Sequence, residues 1–253
     1  MRLRTYRLLT PLALWLAGLS GPAAALDTGV SWDWQLQAPL DLSLAVDVLA
    51  LDPDEVESAD IAALKARGVF TICYVSVGSW EDWRGDAAAF APELLGNPYD
   101  GWPGERFLDI RAPEVLALMT ARFRRCAQMG FDAIEPDNID LHINDTGLAI
   151  GESEVIGYVR ALSEVAHGLG LQIAQKNAAD LTGALLPLTD FAMAENCLTD
   201  DWCDLLAPHA AAGRAILDAE YTRPGPEICG RADDSLSVIF KGEDLTRGRD
   251  ICP

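Results

Sequence analysis

Gly130-Phe131-Asp132-Ala133-Ile134-Glu135-Pro136-Asp137-Asn138-Ile139-Asp140 is the stretch on which the fold turns. An apolar run starts just after a glycine and ends in a dense polar group. Strand alternation puts Glu135 and Asp137 on one face. Pro136 has no N–H for a ladder, so it marks the strand's end. Upstream, residues 113–128 carry a helical period, with proline in the first turn and Gly130 just past the end. The unit is a helix, a stop, and a strand ending in acid.

That unit recurs in both directions. Strand-like runs are predicted at 31–36, 44–51, 69–77, 131–137, 171–177, 190–196, 214–221 and 237–241. Several are continuously apolar, as strands covered on both faces should be. Helical periods are predicted at 56–67, 113–128 and 152–167, with shorter ones at 182–188 and 202–212. Eight strands alternating with helices predict a single-domain (β/α)8 barrel of the TIM type, with an open doubly wound sheet as the alternative. The link from the first strand to the second is too short for a helix. No linker, repeat or low-complexity tract divides the chain.

In a barrel, chemistry sits at the C-terminal strand ends, and here those ends are acidic. The first ends Trp32-Asp33-Trp34-Gln35, and the second reaches Asp52. The third runs into Ser76-Val77-Gly78-Ser79-Trp80-Glu81. The fourth ends Glu135-Pro136-Asp137-Asn138, the fifth Gln175-Lys176-Asn177, the sixth Glu195-Asn196 and the seventh Glu220-Tyr221. A continuous core does not hold so many ionisable groups, because each unpaired charge costs several kcal/mol or shifts its pKa. Gathered in one pocket, crowded carboxylates push one another's pKa values apart, which suits acid/base work on a glycosidic bond. The plain alternative for each acid is a structural one: a helix cap, or a pair with Lys176 or Arg84.

Half of the 253 residues are hydrophobic, enough for an ordinary core. Nineteen Lys+Arg against 39 Asp+Glu give a charge of −20. This argues against nucleic-acid or anionic-lipid partners, which need a basic face. It favours a cationic one, with plain solubility as the competing explanation. Residues 1–25 read as a signal peptide: Arg2, Arg4 and Arg7, an apolar stretch at 8–19, then Ala23-Ala24-Ala25. Cleavage there leaves 26–253 as the barrel domain, outside the cell or in the periplasm. It removes three arginines and no acid, so the charge becomes −23.

Six cysteines in an exported chain predict disulfides. The expected pairs are Cys197–Cys203 and Cys229–Cys252, the shortest closures, and Cys73–Cys126, where two free buried thiols are the alternative. No zinc spacing is present, and the Asp/Asn run at 137–145 lacks the EF-hand pattern, so no metal is expected. The motifs GxGxxG, GxSxG and the Walker loop are absent.

Over most of the chain the sequence resembles glycoside hydrolase family 114, the endo-α-1,4-polygalactosaminidases. The resemblance rests on Trp32-Asp33-Trp34-Gln35-Leu36, Cys73-Tyr74-Val75-Ser76-Val77-Gly78 with Trp83-Arg84, Phe107-Leu108-Asp109-Ile110, Glu135-Pro136-Asp137-Asn138, Gln175-Lys176-Asn177 and Glu195-Asn196-Cys197, in that order. It implies a (β/α)8 barrel that needs no cofactor, with a catalytic pair of Asp137 and Glu195. Glu135 and Asp140 remain rivals for the part of Asp137. The residues expected to bind substrate are Asp33, Trp34, Gln35, Tyr74, Ser76, Glu135, Asn138, Lys176, Asn177, Glu220 and Tyr221. Lys176 beside a carboxylate would lower its pKa, as suits a nucleophile. Exposed tryptophans would offer faces to sugar rings. The implied enzyme is an exported, endo-acting, retaining hydrolase of a cationic amino-sugar polymer, acting as a monomer. Hydrolysis of another polysaccharide, or non-catalytic binding of a cationic glycan, is the alternative.

Overall fold

A computed structural model describes residues 26–253; the expected signal peptide lies outside the described residues. Among the described residues, eight parallel strands form one sheet: β1 (Trp32–Gln35), β2 (Val48–Leu51), β3 (Phe70–Ser76), β7 (Ala133–Asp137), β8 (Gln172–Lys176), β9 (Phe191–Glu195), β10 (Ile216–Glu220) and β11 (Leu236–Phe240). They follow one another in that order, each hydrogen-bonded to the next. The two edges meet through side chains. Trp32 Nε1 donates to the carbonyl of Ser237 at 2.7 Å, and Lys241 reaches Asp33 at 3.0 Å. The sheet is thereby a nearly closed barrel, and the open doubly wound alternative is excluded.

Period-two alternation sorts the strands into two cores. Trp32, Trp34, Val48, Ala50, Ile72, Ala133, Ala174, Phe191, Met193, Leu217, Ala219 and Ile239 fill the barrel. Bulky indoles on one side meet alanines on others, as layers of alternating large and small side chains fill a barrel. The intervening Leu49, Leu51, Cys73, Val75, Ile134 and Ile173 point outward, under the helices. The covering helices are α1 (Ser58–Ala66), α2 (Pro113–Met129) and α3 (Glu152–Gly168), with short turns α4 (Thr182–Leu185), α5 (Ala207–Ala211) and α6 (Pro226–Cys229). Gly130 ends α2 at φ 98° and returns its N–H to Cys126 and Ala127, the left-handed stop that a glycine makes cheaply. Glu154 folds back onto the N–H of Gly151 to start α3.

Seven of the eight strands fall within the sequence ranges and β11 begins one residue before its own, at Leu236 where the range starts at 237; the link from β1 to β2 has no helix. Two helices are shorter than their periodicity. Residues 182–188 give only α4, and 202–212 split into a 3-10 turn and α5, with Pro208 in the first turn. A small antiparallel sheet between β3 and α2 was not anticipated: β4 (Ser79–Glu81), β5 (Leu95–Pro98) and β6 (Glu105–Leu108), ordered β4-β6-β5. Its strands are three or four residues long and one ends in proline, too little for a periodic signal.

All six cysteines are paired. Cys73–Cys126 ties β3 to α2, Cys197–Cys203 closes the loop after β9, and Cys229–Cys252 holds the C-terminal segment to α6. Three disulfides are the mark of a chain folded in an oxidising compartment. No described helix is long and apolar enough to cross a membrane.

Candidate active site

Alternation sends Glu135 and Asp137 inward from β7, Lys176 from β8 and Glu195 from β9, while the apolar residues between them face the helices. The three carboxylates converge on one ammonium. Lys176 Nζ lies 2.8 Å from Asp137 Oδ1, 3.0 Å from Glu135 Oε1 and 3.1 Å from Glu195 Oε2. The Trp34 ring covers it, 4.6 Å from nitrogen to centroid. Two phenols complete the floor. Tyr74 donates to Asp137 Oδ2 at 2.9 Å, and Tyr221 to Glu195 Oε1 at 2.5 Å.

This arrangement divides the acids by protonation. Burial pushes Glu135 up to about 8, and the charge of Asp137 adds to the effect against the pull of Lys176. Its second oxygen is buried with no partner, as a neutral acid tolerates better than an anion. Glu195 goes the other way. Burial would raise it, but Lys176, Tyr221 and Asn177 together hold it below the ordinary carboxylate range. Burial would likewise lower Lys176; Asp137, Glu195 and Glu135 outweigh it, and the lysine stays charged.

The last inward group on each of β7, β8 and β9 is followed by an asparagine in the left-handed region: Asn138 (φ 62°), Asn177 (φ 46°) and Asn196 (φ 56°). Asparagine accepts this conformation more readily than most residues, and here its amide grips an adjacent strand end. Asn177 accepts the N–H of Glu195 and donates to its carboxylate, both at 3.0 Å. Asn196 accepts the N–H of Tyr221 at 2.9 Å. Asn138 donates to Ser76 and Ser79 at 3.0 and 3.2 Å. Behind Asn177, Gln175 donates to the carbonyls of Asn177 and Ala178 and is itself held by His209 at 2.9 Å. Burial lowers His209 to about 4, so it is neutral there.

Above the floor opens a cavity of about 770 Å³. Asp137, Glu195, Trp34, Tyr74, Asn138, Asn177 and Tyr221 line it, and Glu135 and Lys176 lie buried beneath. Besides these two, four residues expected at the substrate do not line it. Asp33 and Gln35 lie on the outer face of β1, because Trp32 and Trp34 take the inner one. There Asp33 pairs with Lys241, and Gln35 bonds Asp33 and the N–H of Asp41. Ser76 is buried against Ser79 and Asn138. Glu220 turns outward and accepts the N–H groups of Leu198 and Thr199, fixing the loop after β9.

Sequence reasoning missed the opposite wall. Glu105 and Tyr99 come from the small antiparallel sheet and its loop, where no pattern announced them. Asp52 and Glu81 were visible at strand ends and Arg84 as a partner for an acid, but not their grouping. Arg84 grips Glu81 with two hydrogen bonds of 2.7 and 2.8 Å, reaches Asp52 and Asp54 at 2.8 and 2.9 Å, and lies over the Tyr74 ring. Ten of the lining residues are Asp or Glu, and Arg84, fully engaged, is the one Lys or Arg among them. Paired carboxylates in a deep pocket at the C-terminal strand ends are the equipment of glycosidic hydrolysis.

Known structures share this fold. The crystal structure of Ega3 from Aspergillus fumigatus, in complex with galactosamine, superposes with a TM-score of 0.87 at 27% identity, over 92% of this chain and 99% of that one. The glycoside hydrolase domain of PelA from Pseudomonas aeruginosa shares the fold, with TM-score 0.67, 17% identity, and 87% and 96% of the two chains covered. A trehalulose synthase, MutB, is a more distant barrel, with TM-score 0.55 and 9% identity over 77% of this chain and 57% of that one. No curated protein matches by sequence. The profile of glycoside-hydrolase family GH114 matches residues 17–252. The chain belongs to that family and is a glycoside hydrolase.

Proposed function

We propose that this glycoside hydrolase is an exported, endo-acting enzyme that cuts α-1,4-linked galactosamine polymers carrying free amines. One observation carries the reading: ten acidic residues against one fully engaged arginine around the cavity. Such a field concentrates a polycation and repels an anionic glycan. The likeness to Ega3, whose structure holds galactosamine, supports the same substrate class. Export rests on residues 1–25, with cleavage near Ala25, and on the three disulfides. The enzyme acts as a monomer.

The reaction runs on Asp137 and Glu195. Asp137 attacks the anomeric carbon and Glu195 protonates the leaving oxygen; Glu195 then deprotonates the water that releases the sugar. Because both bond the same Nζ, the two facing oxygens are at most about 6 Å apart, near the ~5–5.5 Å of retaining enzymes and short of the ~6.5–9.5 Å of inverting ones. A second reading exchanges the roles. The three donors that keep Glu195 ionised favour it as nucleophile, with Asp137 as the acid.

The test is product release from purified α-1,4-galactosaminan, with chitosan and chitin alongside, followed by NMR of the newly formed reducing end. Short galactosaminan oligomers of retained configuration are expected. No release from galactosaminan would refute the substrate, and inverted product would refute the covalent route.

A further inference from the structure

We infer that Glu105 is the specificity-determining carboxylate that receives the free ammonium of a deacetylated amino-sugar unit next to the bond being cut. This rests on the proposed substrate class and adds to it a named group.

The cavity's buried acids are otherwise satisfied. Asp52 and Glu81 share Arg84, and Asp137 and Glu195 share Lys176. Glu105 is the exception. It lines the cavity, is only 7% exposed, and no cation among the described residues contacts it. One oxygen accepts the hydroxyl of Ser79 at 2.5 Å, and the other accepts no hydrogen bond from the described residues. A buried carboxylate left in this state is costly unless a cation arrives with the ligand.

Its position is fixed. Ser79 bonds Ser76 at 2.6 Å, and Asn138 donates to both serines. Glu105 is therefore the acceptor end of a polar rail that starts at the residue following Asp137. A carboxylate held in this way is set at a constant distance from the reacting pair, which is what selection of one substituent on one ring requires. Asp140 also lines the cavity without a cation, but it is less buried and no rail holds it.

The chemistry discriminates. An ammonium neutralises Glu105 and donates a charge-assisted hydrogen bond. A hydroxyl donates without charge, and an acetamide adds bulk where charge is needed. The groups whose charges act on Glu105 are Glu81 of β4, Asp137 of β7 and Arg84. Burial, with Glu81 and Asp137, raises its carboxyl to about 7. The ionised form that attracts ammonium therefore grows in as pH rises through that value.

The experiment measures binding of galactosamine and N-acetylgalactosamine by calorimetry, between about pH 5.5 and pH 7.5. It uses the whole mature protein and its Glu105→Gln and Glu105→Asp variants; galactosaminan hydrolysis is assayed on the same preparations. The wild type is expected to prefer galactosamine, increasingly as pH rises. Glu105→Gln keeps an acceptor for Ser79 and should lose about ten-fold of that preference together with its pH dependence. Glu105→Asp keeps the charge but withdraws it, so it should retain the pH dependence with weaker binding. If Glu105→Gln does not fold, Glu105→Asp decides: unaltered affinity would overturn the assignment. So would a preference that survives Glu105→Gln, or a wild type with no preference. A wild type that shows the expected binding but leaves galactosaminan intact removes the proposed substrate and leaves the role of Glu105 standing.

Discussion

Lys176 is the residue on which the site balances, since one ammonium serves three carboxylates. Asp137→Asn and Glu195→Gln keep shape and remove charge, so each should cut turnover by about 100- to 10,000-fold in a folded protein. An aryl glycoside with a good leaving group assigns the roles: the variant it rescues lacks the acid. Rescue of Glu195→Gln supports Asp137 as nucleophile, and rescue of Asp137→Asn supports the exchanged reading. If Glu135→Gln were the inactive variant and Asp137→Asn active, the nucleophile on β7 would be Glu135. Glu135 also leaves a trace in stability. Its folded pKa of about 8 lies above the ~4.3 of an unfolded glutamate. The folded chain therefore holds a proton that the unfolded chain has lost, and the stability this lends is full below about pH 4.3 and falls as pH rises towards 8. Glu135→Gln removes that fall, so its melting temperature relative to wild type should climb from pH 5 to pH 8. A constant offset across that range would contradict the assignment.

At the scale of elements, the ends of β3 and β7 come too close for a side chain between them. A Cβ on Gly78 would stand 1.6 Å from the carbonyl oxygen of Asn138, which is backbone and cannot swing aside. Gly78→Ala must therefore push the end of β7, and Asp137 with it. A loss of about 1–3 kcal/mol is expected, with a fall in kcat. Gly157→Ala is the control: its Cβ meets nothing within 4 Å on α3, and it should stabilise by about 0.4–1 kcal/mol. Equal melting temperatures for the two variants would refute the packing argument. The small antiparallel sheet and its loops bring a different property to the cavity. Trp83 and Trp102 stand at its mouth, 55% and 51% exposed, where a sugar ring can lie on an indole. Replacing either by alanine should raise KM for long polymers more than for short oligomers; equal effects on both would place the tryptophans off the path of the chain.

For the molecule as a whole, charge is the dominant property: −20 over 253 residues, with the cavity acidic as well. KM for a cationic polymer should rise with salt as ions screen that field over about 10 Å at 0.1 M. A KM indifferent to salt would mean that shape alone selects the substrate. Much of this was legible in the residues. The eight strands could be read because each alternates or runs apolar between stops, and Gly130 and Pro113 punctuate a helix through backbone rules that hold in any context. Asp137, Lys176 and Glu195 stood out with other strand-end residues because a charge at the end of an apolar strand needs a reason, and it was the resemblance to the family that singled out Asp137 and Glu195 among them. Closure was not local: it depends on Trp32 reaching Ser237 and Lys241 reaching Asp33 across some two hundred residues. Nor could the sequence tell which polar strand-end residue faces in. Asp33 and Asp137 look alike in the chain, yet one pairs behind the sheet and the other faces the cavity, because the indoles of β1 claim the interior. The local chain determined the strands, their stops and the excess of acid. Which acids meet, and whether a cation meets them, was decided by tertiary structure, because a charge is assigned its partner by distance in space and not by separation along the chain.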